Sequence, residues 1–163
     1  MTENSSIKEK ALHPEQSAKA RAGKAQEVNQ AEDACADKLD ERICEALNAA
    51  SDKKALDPVV LDLREVASFT DYFVITSGAN ARQVQAIADA VVEQLKKQGT
   101  RALRTEGYNT GEWVLVDYGD FIVHVFDNKA RQFYDLERLW RDAVRVQLPA
   151  DIAGGSDSSL RSE

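Results

Sequence analysis

The apolar residues in the middle of the chain alternate between helical and strand spacing. Short β-branched or alternating runs predict five strands, at 58–63, 71–76 and 102–105 and as two segments within 106–126. Apolar residues three or four positions apart predict three amphipathic helices, built on Leu39, Ile43, Leu47 and Ala50, on Val84, Ile87, Ala88, Val91 and Leu95, and on Phe133, Leu136, Trp140 and Ala143. The order α-β-β-α-β-β-β-α predicts an α/β fold, a mixed five-stranded sheet flanked by helices.

The links between these elements predict how the strands pair. Seven residues join the first two strands, a length that suits antiparallel neighbours. Asn80 is the expected N-cap of the second helix, and Gly99 is its expected stop. The passage from the second strand through this helix to the third strand is typical of a right-handed crossover, which would make those two strands parallel neighbours.

The stretch EGYNTGEWVLVDYGDFIVHVF, residues 106–126, predicts a hairpin that turns at Gly119-Asp120. One side of it, the valine face, pairs Val114 with Val125, Val116 with Val123 and Tyr118 with Phe121. The other side, the Trp113 face, pairs Trp113 with Phe126, Leu115 with His124 and Asp117 with Ile122. A hairpin with one buried side normally carries polar residues on the other. Because three helices do not fully cover both sides of five strands, we expect part of the Trp113 face to be open. The alternative is that Trp113 packs in the protein's own core, as a tryptophan on a sheet face more often does.

The two ends of the chain have a different composition from its middle. Residues 1–36 are rich in Ala, Glu, Lys, Gln and Ser, which predicts a disordered or loosely helical extension. The same argument predicts a disordered tail at 146–163 and one domain at 37–145. No apolar run is long enough for a membrane span, and the first 30 residues lack the apolar centre of a secretory signal. We therefore expect a cytoplasmic protein that does not contact membranes, with Cys35 and Cys44 as reduced thiols.

The charge of the chain bears on its partners. The net charge is −7, and residues 38–143 hold 14 lysines and arginines against 18 aspartates and glutamates. Because nucleic-acid binders normally present a basic surface, a basic protein or a small ligand is the expected partner. The acids nearest to Trp113 in the sequence are Glu106, Glu112, Asp117 and Asp120. A tryptophan ringed by acids suits a basic protein surface.

Catalysis is the alternative to binding. Carboxylates at strand ends could hold Mg²⁺ for nucleotidyl transfer, and the candidates are Asp62, Asp71, Asp117 and Asp120. No Asp-x-Asp pair lies on a strand, and turns account for two of these acids. Ser77 precedes a helix and His124 is its plausible base, but the Gly-x-Ser-x-Gly context is missing. We expect no enzyme activity, metal or cofactor; the alternative is a divergent metal-dependent nucleotidyltransferase.

Three blocks of the sequence resemble one known family. TDYFVITSGANARQVQAIADAV, EGYNTGEWVLVDYGDFIVHVF and RQFYDLERLW are together similar to the ribosomal silencing factor family, RsfS, also called Iojap, over residues 38–143. The resemblance implies a nucleotidyltransferase-like fold without known catalysis. It also implies binding to the large ribosomal subunit, mainly through the basic ribosomal protein uL14. Such binding sterically blocks joining of the small subunit and damps translation when nutrients are scarce.

The resemblance also implies where the partner binds. The family's interface tryptophan falls on Trp113, and the expected partner-binding residues are this residue and its neighbours Glu106, Leu115, Asp117, His124 and Phe126. An acidic factor is repelled by bulk rRNA, so we expect limited direct rRNA contact. A homodimer is an alternative association that the sequence leaves open.

Overall fold

The computed structural model describes residues 7–14, 40–149 and 152. Their elements follow in the order α1 (Ile7–Leu12), α2 (Glu41–Asp52), β1 (Leu56–Asp62), β2 (Tyr72–Gly78), α3 (Ala81–Lys97), β3 (Arg104–Glu106), β4 (Trp113–Asp117), β5 (Phe121–Asp127), α4 (Asn128–Tyr134), α5 (Leu136–Leu139) and β6 (Val144–Val146). Among the described residues, no helix has the length and apolar character needed to cross a membrane.

The strands form one mixed sheet in the order β3-β4-β5-β2-β1-β6. The predicted α/β class and the antiparallel pairing of β1 with β2 are confirmed, but the described sheet has six strands rather than five. The predicted pairing of the second and third strands is wrong, because β2 pairs in parallel with β5. β5 offers β2 seven residues to pair with, whereas the three residues of β3 lie at the sheet edge against β4.

The predicted helix signals are confirmed at α3. The side chain of Asn80 accepts a hydrogen bond from the backbone N–H of Gln83 at 2.9 Å, which caps the first turn. Gly99 has a φ of 91°, a left-handed conformation that favours glycine just beyond a helix. The start and end of this helix were therefore encoded by residues next to it in the sequence.

The valine face is covered by α2 and α3. The two helices bury apolar residues spaced by three or four positions against β4 and β5, including Ile43, Leu47, Val84, Ile87, Val91 and Leu95. Packing of helical stripes on a strand face is the usual solution for such a layer. This side of the sheet is the core that the periodicity predicted.

The last predicted helix is wrong in its extent. It breaks at Asp135, whose φ is 48°, and α5 ends at Leu139. Ala143 lies beyond it, followed by β6, which pairs with β1. Phe133 was predicted to lie in the apolar stripe but is 79% exposed, because the break turns its side of α4 away from the core.

The N-terminal segment and Cys44 also differ from expectation. Residues 7–12 of the predicted extension form α1, and Ile7 and Ala11 are buried against the domain. Residues 1–6 and 15–36 lie outside the described ones, as do all residues of the predicted tail after 149 except Ile152. Cys44 is disulfide-bonded, contrary to the expectation of a reduced thiol, and Cys35 lies outside the described residues.

Candidate partner-binding site

The predicted hairpin register is confirmed. Trp113 lies opposite Phe126, Leu115 opposite His124 and Asp117 opposite Ile122. Trp113 and Phe126 stack with ring centroids 5.0 Å apart. Five of the six predicted partner-binding residues thus share one face of β4 and β5, and Glu106 lies beside them because β3 pairs with β4 and places it next to Leu115.

The expectation that this face is open is wrong. Trp113 is 3% exposed, and Leu115, Asp117, His124 and Phe126 are also buried. The cover comes from the protein itself: α1, α4, α5 and the link after β1, through residues that include Ile7, Ala11, Leu63, Ala67, Ala130, Leu136 and Trp140. The structure therefore assigns five of the six residues to a core, and Glu106 alone of them is half-buried.

Helix α1 is held on this face by polar contacts as well as apolar ones. The indole Nε1 of Trp140 donates a hydrogen bond to the carbonyl oxygen of Ala11 at 2.6 Å. The backbone N–H of Ile7 donates to Oε2 of Glu106 at 3.4 Å. Both tryptophans of the chain therefore lie beneath or beside α1.

Lys8 on α1 faces Trp113 directly. Its Nζ lies 4.7 Å from the centroid of the indole ring, within the range of a cation–π interaction. Burial lowers the pKa of the Lys8 ammonium, while attraction from Glu106 and Glu112 acts in the opposite direction. The charged lysine is thus placed between an aromatic ring and two carboxylates.

His124 is a buried, neutral member of the Trp113 face. Its Nδ1 accepts a hydrogen bond from Trp113 Nε1 at 3.0 Å, and its Nε2 has no hydrogen-bond partner among the described residues. Burial lowers the pKa of His124 to about 3, with a smaller contribution from Lys8. The imidazole orients Trp113 and carries no charge at neutral pH.

Asp117 stabilises the hairpin turn. Its Oδ1 accepts a hydrogen bond from the backbone N–H of Gly119 at 2.8 Å. Gly119 has a φ of 88°, which a glycine adopts at low cost. The carboxylate is therefore engaged within the protein, so its buried position and this bond argue for a structural role.

The accessible part of this region lies around its rim. Glu112 is exposed and Tyr134 is half-buried, and the Tyr134 ring lies 4.7 Å from that of Trp113. The exposed Phe133 ring lies 5.0 Å from Tyr134. Neither aromatic residue is predictable as a surface group from the sequence, because helical periodicity alone does not reveal the break at Asp135.

The strand-end acids do not form a metal site. Asp62 makes two hydrogen bonds with the Arg64 guanidinium, and Asp120 pairs with Arg42 at 2.8 Å. Among the described residues, no cluster of three or more His, Cys, Asp or Glu side chains could hold a metal ion. Asp62 and Asp120 thus have arginine partners, and Asp117 has a backbone partner.

Ser77 and His124 do not form a nucleophile and base. Ser77 Oγ accepts a hydrogen bond from Nη1 of Arg131 at 3.2 Å and borders a polar cleft of about 450 Å³. His124 uses Nδ1 for Trp113. Arg131 is itself paired with Glu137, so Ser77 belongs to a hydrogen-bonded chain of Ser77, Arg131 and Glu137 and not to a pair with His124.

Comparison with known proteins adds to this geometry. A family model described as "Ribosomal silencing factor during starvation" matches residues 36–162. A protein from Halalkalibacterium halodurans named Ribosomal silencing factor RsfS is 43% identical over 108 residues, which are 66% of this chain and 92% of that protein. A mouse protein named Mitochondrial assembly of ribosomal large subunit protein 1 is 32% identical over 91 residues, which are 54% of this chain and 40% of that protein.

A solved structure agrees with the fold. The crystal structure of a Chromobacterium violaceum protein has a TM-score of 0.61 and 39% identity, and the match covers 62% of this chain and 84% of that one. The family model spans α2 to β6 and thus every strand of the sheet, whereas α1 precedes its first matched residue. The chain belongs to the ribosomal silencing factor family, RsfS.

Proposed function

We propose that this protein binds the large ribosomal subunit through ribosomal protein uL14 and sterically blocks joining of the small subunit, which represses translation. The observation that carries the proposal is the family match over residues 36–162, which includes the whole described sheet. The name of the mouse relative, which refers to assembly of the large ribosomal subunit, supports the same target.

The charge of the protein supports a protein partner within the ribosome. The net charge of −7 opposes contact with bulk rRNA, whose phosphates bind basic surfaces. An exposed basic ribosomal protein would attract it instead, and complementary charge increases the association rate. Specificity then comes partly from repulsion of the wrong surface. Direct rRNA contact is limited in this arrangement.

The docking surface that we propose is the Trp113 face with its rim. Glu106 and the exposed Glu112 supply negative charge, and Tyr134 and Phe133 supply aromatic surface next to Trp113. Tyrosine and tryptophan are frequent interface anchors because they bury a large area with few rotatable bonds. Leu115, His124 and Phe126 support Trp113 from within, and Asp117 fixes the turn.

This mechanism needs occupancy rather than chemistry. A folded domain on the intersubunit surface excludes the volume that the small subunit must occupy. Repression then follows the fraction of large subunits that carry the protein, because binding to one state shifts an equilibrium by mass action. A stoichiometric effect that saturates with protein concentration is therefore expected.

Sedimentation of purified subunits tests the proposal. We expect the protein to co-sediment with large subunits and to reduce the joined-ribosome peak. Glu112→Lys should weaken both effects, whereas Glu93→Lys, an exposed residue on α3 with the same change in charge, should not. Equal binding and equal inhibition of ribosome joining by the two variants would refute the proposed docking surface. Unchanged ribosome joining at saturating protein would refute the steric mechanism.

Two further measurements separate the remaining alternatives. Mg²⁺-dependent release of pyrophosphate from a nucleotide, abolished by Asp62→Asn, would support a nucleotidyltransferase. Light scattering of the free protein measures whether it forms a homodimer. Steric exclusion needs neither nucleotidyl transfer nor a homodimer. The pyrophosphate and light-scattering results are therefore independent of the sedimentation test.

A further inference from the structure

We propose that the basic partner inserts a lysine or arginine side chain into a cation site on this protein. In the free protein, Lys8 occupies that site. The site consists of the Trp113 indole with Glu106 and Glu112. Helix α1 is then a displaceable cover that presents to the Trp113 face the same chemistry as the partner. This inference rests on the proposed function, because it concerns how the same surface becomes available.

The geometry around Lys8 is that of a cation site. The ammonium lies 4.7 Å from the indole centroid. Burial lowers the pKa of Lys8, and attraction from Glu106 and Glu112 partly offsets this by favouring the charged form. Gly107 leaves space for it, because a Cβ at that position would lie 2.6 Å from Lys8 Nζ. An aromatic ring, two carboxylates and a gap without a side chain together suit a lysine or arginine from any chain.

Helix α1 is suited to being displaced. Its six residues are too few for a helix that is stable alone in water. Its described anchors include the buried Ile7 and Ala11, the hydrogen bond to Trp140, the weaker one to Glu106 and the contact of Lys8 with Trp113. It also precedes the residues that the family model matches, so the domain is defined without it.

Lys8 and a lysine of the partner compete for the Trp113 ring because both are cations that bind it in the same way. A partner lysine can reach the Trp113 ring when Lys8 has left it. The apparent affinity for the partner is then reduced in proportion to the fraction of molecules in which α1 is released. Weakening α1 should increase affinity without changing any residue of the docking surface.

Full-length variants on α1 test this competition. Lys8→Gln removes the internal cation, and Lys10→Gln is its matched control: the same helix, the same charge change and an exposed position. Ala11→Glu places a carboxylate at a buried anchor and should release the helix. Two measurements are made on each: co-sedimentation with large subunits, and quenching of tryptophan emission by acrylamide. Because both tryptophans adjoin α1, quenching reports its release.

We expect Lys8→Gln to bind large subunits about three- to ten-fold more tightly than Lys10→Gln. Ala11→Glu should bind at least as tightly and show the strongest quenching; if it fails to fold, Ile7→Ala gives a milder release. If wild type binds but neither Lys8→Gln nor a released variant binds more tightly, the inference is wrong and the proposed function stands. If no form binds, including one whose tryptophans have become accessible, the proposed function fails and the inference falls with it.

Discussion

The two sides of the sheet are both buried, but they are covered in different ways. The valine face is closed by α2 and α3, which pack entirely apolar stripes on it. The Trp113 face holds a histidine and a tryptophan, and its cover includes Trp140 and helix α1 with Lys8. The first cover lies within the residues that the family model matches, and α1 lies before them.

Under the proposed function, this difference separates a structural core from a docking surface that α1 covers in the free protein. Apolar side chains need only close packing and no specific polar group opposite them. The valine face is therefore fully satisfied once α2 and α3 pack on it. The Trp113 face keeps groups that can bind a partner: a ring that attracts cations, two rim carboxylates and half-buried Tyr134. Under the proposed function, Trp113 becomes accessible to a partner when α1, one part of its cover, is released.

The largest expected effect tests whether the valine face is the stabilising core. Ile87 is fully buried on α3, and Ile87→Ala removes apolar contacts and leaves a cavity. We expect the free energy of unfolding to fall by about 2–5 kcal/mol. Urea unfolding followed by circular dichroism measures it. A loss below about 1 kcal/mol would contradict the assignment of this face as the main core.

The pH dependence of stability tests the neutral histidine. The folded-state pKa of His124, about 3, lies below the ordinary value of 6.5, so the unfolded chain takes up a proton first. Stability is complete above the unfolded pKa and falls as pH decreases towards the folded one. Between pH 8 and pH 5 the expected loss is about 2 kcal/mol. Urea unfolding at these two pH values measures it.

A pair of histidine variants isolates this effect. His124→Phe should remove most of the slope between pH 8 and pH 5, and His13→Gln, at an exposed position, should keep it. A wild-type protein whose stability is the same at both pH values would show that His124 is not buried in its neutral form. That result would also weaken the contrast between the two sides, because it would place solvent on the Trp113 face.

The hairpin turn gives a smaller effect. Asp117→Ala removes the acceptor for the Gly119 N–H, and one hydrogen bond contributes about 1 kcal/mol. Asp120→Ala in the same turn removes an exposed ion pair with Arg42, which typically contributes about 0.2–1 kcal/mol. We expect Asp117→Ala to be the more destabilising in urea unfolding. The reverse order would show that the ion pair, and not the buried carboxylate, holds the turn.

The sequence predicted those parts of the structure that local chemistry determines. The hairpin register follows from alternation and a Gly-Asp turn, and the α3 ends follow from Asn80 and Gly99. Each signal lies within a few residues of its effect. The parallel neighbour of β2 was predicted wrongly because the choice between β3 and β5 depends on pairing over long distances in the chain.

The cover of the Trp113 face was missed for the same reason. Ile7 and Ala11 lie four positions apart and share one side of α1, but two apolar residues in a segment rich in lysine and glutamate are a weak helix signal. The bond from Trp140 to Ala11 spans 129 positions, which no local pattern reports. The exposure of Trp113 was therefore predicted wrongly even though its face was predicted correctly.

The smallest expected effect on global stability is the most informative about α1. Ile7→Ala makes the same chemical change as Ile87→Ala at a residue that is also buried. If α1 opens before the domain unfolds, the interactions of Ile7 are lost in a local step, and local openings have lower free energies than global unfolding. We therefore expect Ile7→Ala to lower the global free energy of unfolding by less than about 1 kcal/mol, against about 2–5 kcal/mol for Ile87→Ala. Hydrogen exchange should show faster exchange for the amides of α1 than for those of β5, and Ile7→Ala should increase it in α1 alone.

Equal losses from the two isoleucine variants would mean that α1 unfolds together with the sheet. In that case both sides of the sheet would form one cooperative core, and a partner could reach Trp113 only by unfolding the domain.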